Sequence, residues 1–415
     1  MPLVTHRPDD WLSERRRADA ADTGTQVAEV LADVRRRGDL AVREWTRRWD
    51  GVDLDDYRVE ASDVRQAWAA LDSDLRGVLE FAADRIRAFA EATRPPRAVS
   101  APPADGIQAR VIWEPLRRVA VYVPAGRWPL CSSVLMGGIP ARVAEVGDVV
   151  LFTPPQRDGR PDPTTLAAAG LLGIEEVYLV GGAQAIAVAA FGTETVRAVE
   201  AVVGPGNRFV TEAKRQVQGM VRIDGLNGPS EVVIWGEPPA PVDQVALDLL
   251  AQAEHDPASW ALVVSRDEEW LRHVGRAVDE AGGDSLARQA GVGAVVVSGP
   301  DEAVRFINAF GPEHLELWGS PVQHRSRLTV AGATFLDCPT PLGDYVAGPN
   351  HVLPTGGRAR FGSVLGVEDF LRRRTETRVV GDMRRAAAAG ARLARAEGLS
   401  RHAAALDRFG EEAPS

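Results

Sequence analysis

Residues 118–123 read RVAVYV, residues 148–152 read DVVLF and residues 176–180 read EVYLV. All three runs are short and apolar, and a stretch with helical periodicity follows each of them. The three predicted helices span residues 133–146, 163–172 and 183–191. Strands that alternate with crossover helices at this spacing are typical of a parallel sheet with helices on both faces. The sequence therefore predicts an α/β fold around this segment.

The loops that follow the predicted strands are candidate binding loops, because parallel sheets bind ligands beyond the carboxyl ends of their strands. They are PAGRW (124–128), TPPQ (153–156) and VGGAQ (180–184). Glycines in VGG and in GPGN (204–207) would let backbone N–H groups approach a phosphate at the start of a helix. The GxGxxG fingerprint is absent, and a single glycine turn is more often only a turn. Two such turns in succession on one sheet suggest a nucleotide.

The alternation of strands and helices continues along the chain. A strand at Ala201–Val203, the GPGN turn and a helix that ends at Val217 form a further unit, and a second α/β region follows PPAP at 238–241. The predicted helices of that region span 242–254, 267–280 and 301–310, and its predicted strands span 260–264 and 293–297. Residues 22–91 have helical periodicity and lead into a proline-rich linker at 94–106. The last fifty residues, with the FLRRR run at 370–374, predict a helical tail.

This organisation predicts two Rossmann-like parallel-sheet units, a helical N-terminal region and a C-terminal helical tail. The predicted domains are an N-terminal segment (1–21), a larger α/β domain with the Glu-His and metal motifs (22–117 and 231–365), a smaller α/β dinucleotide-binding domain (118–230) and the tail (366–415).

The composition narrows the functional classes. The 415 residues allow two or three domains, and a formal net charge of −10 disfavours a nucleic-acid binder. Cys131 and Cys338 are the only cysteines, so any metal must be held by nitrogen and oxygen ligands. Lys214 is the only lysine, which excludes a GKS or GKT phosphate loop. No signal peptide or membrane-length apolar run is present, which favours a soluble, cytoplasmic protein.

Two short motifs carry residue types suited to catalysis or metal binding. On a helix, Gln252 and His255 would share a face and could meet one ion. A helix end with polar neighbours is the simpler alternative. Glu313 and His314 are adjacent in a predicted turn after a helix, and both residue types can move protons near neutral pH. As a lone dipeptide, this pair could also be a coincidence.

Two further segments are polar for their predicted position. The loop 343–351 presents Asp344, Asn350 and His351 between glycines, and functional and structural interpretations are about equally supported. Glu397 and His402 lie in the predicted tail, where a solvated helix face is the simpler interpretation.

Taken together, these segments resemble the histidinol dehydrogenase family over nearly the whole chain. The resemblance rests on VYVPAG (121–126), VGGAQAIAVAAFGTE (180–194), GPGNRFVTEAKR (204–215), GPSE (228–231), LLAQAEHDP (249–257), GPEHLEL (311–317), GDYVAGPNHVLPT (343–355) and the E-x4-H spacing of the tail. It implies a cytoplasmic enzyme of histidine biosynthesis that oxidises L-histidinol through an enzyme-held aldehyde to L-histidine. It also implies NAD as the hydride acceptor in both steps and one zinc ion per site.

The resemblance also implies individual roles. The implied zinc ligands are Gln252, His255, Asp344 and His402. His314 is implied as the general base that takes the hydroxyl proton, and Glu313 as the group that activates water to hydrate the aldehyde. The implied substrate contacts are Ser230, His351 and Glu397, together with the zinc ligands, Glu313 and His314. Tyr122, Gln184 and Asn207 are the implied dinucleotide contacts. The resemblance further implies a domain-swapped homodimer whose tail, with Glu397 and His402, completes the partner's site.

The chain departs from the family pattern beside the expected substrate pocket. Where many members have PGG and a small residue, residues 124–128 read PAGRW. Arg127 would suit an anionic substrate if it faces the pocket, and it could instead face solvent or a phosphate. The alternative function is therefore oxidation of another small alcohol, such as the anionic diol sulfopropanediol. A non-catalytic zinc-binding protein is a third hypothesis, which the retained Glu313 and His314 disfavour.

Overall fold

The computed structural model describes residues 3–18, 23–125, 129–282 and 290–412. The strands are β1 Val4–His6, β2 Arg58–Val59, β3 Ala98–Ser100, β4 Ile107–Pro115, β5 Arg118–Tyr122, β6 Asp148–Thr153, β7 Glu176–Leu179, β8 Ala201–Val203, β9 Arg222–Ile223, β10 Glu231–Gly236, β11 Trp260–Ser265, β12 Gly291–Val296, β13 His314–Trp318, β14 Ala333–Leu336 and β15 Leu371–Val379.

The helices frame these strands. They are α1 Pro8–Ala18, α2 Gly24–Arg37, α3 Asp39–Trp49, α4 Ala61–Ala70, α5 Ser73–Thr93, α6 Cys131–Val143, α7 Pro163–Leu171, α8 Gly182–Phe191, α9 Arg208–Val217, α10 Val242–Ala253, α11 Glu268–Glu280, α12 Pro300–Phe310, α13 Thr340–Tyr345, α14 Arg384–Ala396 and α15 Ser400–Glu412. Short 3-10 helices span Ser320–Arg327, Arg358–Arg360 and Val367–Phe370. The chain forms two compact units, Met1–Thr93 with Arg117–Phe370 and Arg94–Leu116 with Leu371–Ser415.

The first six-stranded sheet of the larger unit, the β5 sheet, has the order β2-β7-β6-β5-β8-β9. Its strands are parallel except for the short β2, which runs antiparallel to β7. The chain moves outward from β5 to β7 and then returns to β8 on the other side. Ligands bind at such a reversal of strand order, so the carboxyl ends of β5 and β8 are the expected binding edge. The helices α2 and α4 pack against α8 and α7 of this sheet.

The second six-stranded sheet, the β10 sheet, has the order β1-β12-β11-β10-β13-β14 and is parallel throughout. Its central strands repeat the order of the β5 sheet, outward from β10 to β12 and then back to β13 and β14. Buried apolar clusters cover both faces of the sheet. Strands buried on both faces must be apolar along their whole length, which is why short apolar runs identify them in the sequence.

The smaller unit contains a three-stranded antiparallel sheet in the order β15-β4-β3. The prediction of a wholly helical tail is wrong for Leu371–Val379, which forms β15 opposite β4. Most of β15 is exposed, so its sequence lacks an apolar period. Cross-strand ion pairs of Arg374 with Glu114 and of Arg110 with Glu376 accompany the pairing. The predicted proline-rich linker at 94–106 also differs from the prediction, because it contains strand β3. Helices α14 and α15 then pack together around buried alanines.

The predicted α/β class with two Rossmann-like parallel sheets is confirmed. The domain boundaries at 117/118, 230/231 and 365/366 stay predictions. Across the described ranges, every helix is too short or too polar to cross a membrane.

Candidate active site

Glu313 and His314 lie at the amino edge of the β10 sheet. Helix α12 ends at Phe310 and is capped by Gly311, whose φ of +61° is left-handed, and the chain then turns into β13 at His314. The adjacent strand β10 begins at Glu231, whose backbone N–H donates to Glu313 Oε2 at 2.9 Å. The backbone oxygen of Glu231 lies 3.2 Å from His314 Nδ1. The predicted turn is therefore the buried start of a strand, in which backbone groups of β10 contact both side chains.

Burial and mutual charge shift the pKa values of this pair. Burial raises the pKa of Glu313 to about 7, although His314 and the Glu231 N–H oppose the rise. Burial disfavours the charged form of His314, but the charges of Glu313 and Asp344 outweigh it and raise the pKa of His314 to about 9. Nδ1 of His314 lies 3.6 Å from Glu313 Oε2, and Nε2 lies 3.5 Å from Asp344 Oδ1. The site thus couples a buried imidazole to two carboxylates.

Asp344 and His351 extend the site beyond His314. Asp344 is in α13, and burial, which would raise its pKa, is outweighed by the interaction with His314, so that the pKa is lowered. His351 Nδ1 lies 2.9 Å from the backbone oxygen of Asp344, and Nε2 lies 3.3 Å from the hydroxyl of Ser133. Burial lowers the pKa of His351. The Asn350 amide donates to the backbone oxygen of Met136 at 2.7 Å, which anchors this loop on α6.

Gln252 lies in the last turn of α10 and His255 just beyond it, where the charges of Asp344 and His314 act on His255. Gln252 is buried, and its Nε2 has no hydrogen-bond partner among the described residues. His255 is exposed to solvent. Partial desolvation nevertheless lowers its pKa, and the charge of Asp344 opposes this fall only in part. Gln252, His255 and Asp344 are nitrogen and oxygen donors of the kind that bind zinc, and the unsatisfied Gln252 amide can turn its carbonyl toward an ion. Within the described ranges, no three His, Cys, Asp or Glu side chains already form a metal cluster. The residues therefore fit a metal that draws on further donors.

The three predicted dinucleotide contacts lie at the carboxyl edge of the β5 sheet. Tyr122 ends β5, and its hydroxyl accepts from the Gly182 N–H at 3.2 Å. Gln184 Nε2 donates to Asp50 Oδ2 at 3.4 Å. Asn207 caps α9 by accepting from two backbone N–H groups. The structure therefore gathers loops of β5, β7 and β8 at one edge.

The remaining predicted site residues are Ser230, Glu397, His402 and Arg127. Ser230 immediately precedes β10 beside the Glu313 and His314 pair. Glu397 and His402 are exposed residues of the smaller unit. Arg127 falls outside the described residues.

Two residues near these edges were not singled out in the sequence. Ser133 stands in CSSVLM, a run that predicted only a helix. Asp50 is half-buried at the end of α3, and burial raises its pKa to about 6. No local pattern marks either residue, because only the fold brings Ser133 to His351 and Asp50 to Gln184.

Comparison with known proteins agrees with this arrangement. A family model described as histidinol dehydrogenase matches residues 13–409. The chain is 44% identical over 397 residues to a histidinol dehydrogenase of Moorella thermoacetica, covering 92% of this chain and 93% of the relative. It is also 44% identical over 414 residues to a histidinol dehydrogenase of Ruegeria pomeroyi, covering 95% and 94%. The crystal structure of histidinol dehydrogenase from Elizabethkingia anophelis matches with a TM-score of 0.90 and 32% identity, covering 98% and 97%. The chain therefore belongs to the histidinol dehydrogenase family and is a dehydrogenase.

Proposed function

We propose that this protein oxidises L-histidinol through the aldehyde to L-histidine, with two hydride transfers to NAD and one zinc ion in each site. The observation that carries the proposal is the buried Glu313 and His314 pair held by the backbone of Glu231. Both groups can accept protons, and the two oxidation steps each release one.

His314 serves the first step. A proton on Nδ1 can be donated to the backbone oxygen of Glu231 at 3.2 Å, which leaves Nε2 as the acceptor. Nε2 faces Asp344, whose backbone oxygen lies 2.9 Å from His351 Nδ1. Neutral His314, the form that its raised pKa of about 9 favours at alkaline pH, takes the hydroxyl proton of the alcohol at Nε2 while hydride leaves the carbon that bears this hydroxyl, and the product is the aldehyde.

Glu313 serves the second step. Its carboxylate accepts a proton from water as the water oxygen adds to the aldehyde carbon, which gives the anion of the hydrate. Loss of a second hydride from that carbon gives the carboxylic acid. Burial favours protonation of Glu313, which suits a group that must hold a proton temporarily.

The neighbouring residues support the binding of both cofactors. Gln252, His255 and Asp344 would hold zinc from one copy of the chain, and Tyr122, Gln184 and Asn207 would hold the dinucleotide. When bound, NAD⁺ accepts the hydrides and Zn²⁺ supplies a Lewis acid that orients the amino alcohol. The burial of Gln252 and the contact of Asp344 with His314 support this assignment.

We also infer a homodimer with shared sites, in which each copy supplies His402 and Glu397 to the other. Both side chains are exposed, Glu397 directly after α14 and His402 in α15. Leu393 and Phe409 on these helices are also exposed, at 67% and 51%, as is Leu399 between them, at 43%. Apolar side chains of this size on one helix pair fit a surface that a second copy covers.

The test supplies purified protein with zinc, NAD and L-histidinol. We expect two NADH for each histidinol consumed, with histidine as the product. A ratio of one, or no NADH, would overturn the proposal. A parallel assay with sulfopropanediol tests the alternative alcohol, for which Arg127→Ala should lower activity selectively.

A His314→Asn variant tests the catalytic role directly. Loss of a general base typically costs about 100- to 10,000-fold in turnover, so we expect kcat to fall by that order while bound zinc is retained. The same background rate of NADH formation in the wild type and in this variant would favour the hypothesis of a non-catalytic zinc-binding protein.

A further inference from the structure

Two buried carboxyl groups, Asp248 and Glu316, meet beneath the site described above. Asp248 is 3% exposed in α10, and Glu316 is 0% exposed in β13. The two groups are close enough to hydrogen-bond to each other. Two ionised carboxylates have no proton to share and repel each other strongly when buried. One of them must therefore carry a proton.

The surrounding hydrogen bonds identify the protonated partner. Glu316 Oε1 accepts from the backbone N–H of Thr340 at 2.7 Å and from its hydroxyl, and Oε2 accepts from Trp318 Nε1 at 2.9 Å. Three donors stabilise Glu316 as the anion. Asp248 Oδ1 accepts only from Gln244 Nε2, at 2.9 Å, and the buried Oδ2 receives no donor from the described residues. An O–H on Asp248 Oδ2 that donates to Glu316 satisfies both groups.

The pair joins the three elements that carry the site. Asp248 lies one helical turn before Gln252 in α10. Glu316 lies two residues after His314 in β13, on the same face of the strand. Thr340, which donates twice to Glu316, begins the short helix α13 that carries Asp344. Each of these three elements thus carries one residue of a lower layer, which we define as Asp248, Glu316 and Thr340, and one residue of an upper layer, which we define as Gln252, His314 and Asp344.

We propose that Asp248 and Glu316 share one proton and that this carboxyl–carboxylate pair positions Gln252, His314 and Asp344 relative to one another. The inference rests on the proposed function for the role of the upper layer. Neither carboxyl group contacts the substrate in this scheme. Both are positioning residues.

The electrostatics of the region agree with this protonation. Burial and the charge of Glu316 raise the pKa of Asp248 to about 8. The other titratable groups acting on the region are Cys338, whose pKa is raised first by burial, and Asp337, which is exposed. No cation faces the pair among the interactions recorded for the described residues. Removing the shared proton at alkaline pH would leave two adjacent anions and loosen the three elements.

Three variants separate the shared proton from simple packing. Asp248→Asn keeps an N–H donor for Glu316 and an oxygen acceptor for Gln244, so we expect most of the zinc content and turnover to remain. Asp248→Ala leaves Glu316 without that donor, and loss of a group that orients metal ligands typically costs about 10- to 100-fold in activity or metal affinity. Glu316→Gln would turn an amide N–H2 toward Thr340 or Trp318, both donors, so we expect a loss as large as in Asp248→Ala.

Two measurements on the zinc-loaded protein test the proposal. An infrared carbonyl band of a protonated carboxyl group should be present in the wild type near neutral pH and absent from Asp248→Asn. The alkaline fall of turnover and zinc retention should move to higher pH in Asp248→Asn and stay in place in the control Asp243→Asn, which removes an exposed carboxylate from the same helix.

The proposal is overturned if no infrared band depends on Asp248, or if Asp248→Asn loses as much as Asp248→Ala. The infrared band and the zinc content are measurable whether or not histidinol is oxidised. A failure of the proposed reaction is therefore distinguishable from a failure of this pair.

Discussion

Replacement of Lys214 by methionine tests how the GPGN turn is held. Lys214 is the only lysine of the chain and is 2% exposed. Its Nζ donates to the backbone oxygen of Gly204 at 2.5 Å and to Asp224 Oδ1 at 2.6 Å. Asp224 Oδ2 in turn accepts from the Gly204 N–H at 2.8 Å. The buried ion pair therefore hydrogen-bonds to both the N–H and the carbonyl oxygen of Gly204, the first residue of the turn before Asn207.

The expected loss of folding free energy follows from the burial of both members of the ion pair. The Lys214 and Asp224 side chains are each 2% exposed, so Lys214→Met leaves the Asp224 carboxylate charged and almost without water. Removal of one partner from a buried pair typically costs about 3–5 kcal/mol of folding free energy. Since the turn also loses a donor at Gly204, we expect the KM for NAD to rise more than kcat falls.

The assay compares chemical denaturation and NAD kinetics with two further variants. Arg215→Met removes the next cation of the same helix, which pairs with Glu212 at the surface, and should have a much smaller effect on the free energy of unfolding. Lys214→Met combined with Asp224→Asn removes the stranded charge and should recover part of the loss. The reasoning is refuted if Lys214→Met costs no more than Arg215→Met, or if the double variant is less stable than Lys214→Met alone.

Two further predictions concern Asp50 and Gln252. Because burial raises the pKa of Asp50 to about 6, the folded state binds its proton more tightly than the unfolded state. The contribution of Asp50 to wild-type stability should therefore decline as pH rises from about 4 through 6. We expect Asp50→Asn to be more stable than the wild type at pH 7 and to show no such gain at pH 4, as measured by thermal melts across this range. If the difference in stability between Asp50→Asn and the wild type did not change with pH across that range, the raised pKa of Asp50 would be contradicted. Gln252→Ala should lower zinc affinity by at least about tenfold, measured by metal analysis after dialysis, since comparable losses follow even from removing groups that only orient ligands. The exposed Gln323→Ala is the control, and equal zinc retention in both variants would exclude Gln252 as a ligand.

The central strands could be predicted from the sequence because their physical requirement is local. The strands β5, β6 and β7 are covered on both faces, so each must be a short apolar run, and the predicted limits agree with the structure within one residue. The strand β15 has no such requirement, since most of its side chains are exposed. Its arginines find Glu114 only through a pairing with a distant part of the chain, so a run of arginines gave no strand signal.

The candidate site was predictable to the extent that its residues stand in compact motifs. Glu313 and His314 are adjacent, and Gln252 and His255 share one helix end, so their residue types and spacing suggested chemistry. Glu316 lies in the same GPEHLEL segment as the first pair, but its significance depends on Asp248, which belongs to another element. Contacts between distant segments decide whether a buried carboxyl group is ionised or shares a proton with a neighbour. A single sequence does not show these contacts.

The two sheets share a strand order but present opposite edges to the site. Tyr122 ends β5 at the carboxyl edge of one sheet, whereas His314 begins β13 at the amino edge of the other. Ser133 joins these edges, since it lies at the start of α6 and its hydroxyl is 3.3 Å from His351 Nε2. A hydride acceptor and a proton acceptor must approach neighbouring atoms of one substrate without occupying the same space. Placing the proposed dinucleotide on one sheet and the proposed base on the other meets that requirement, because each group is then held by a separate rigid support.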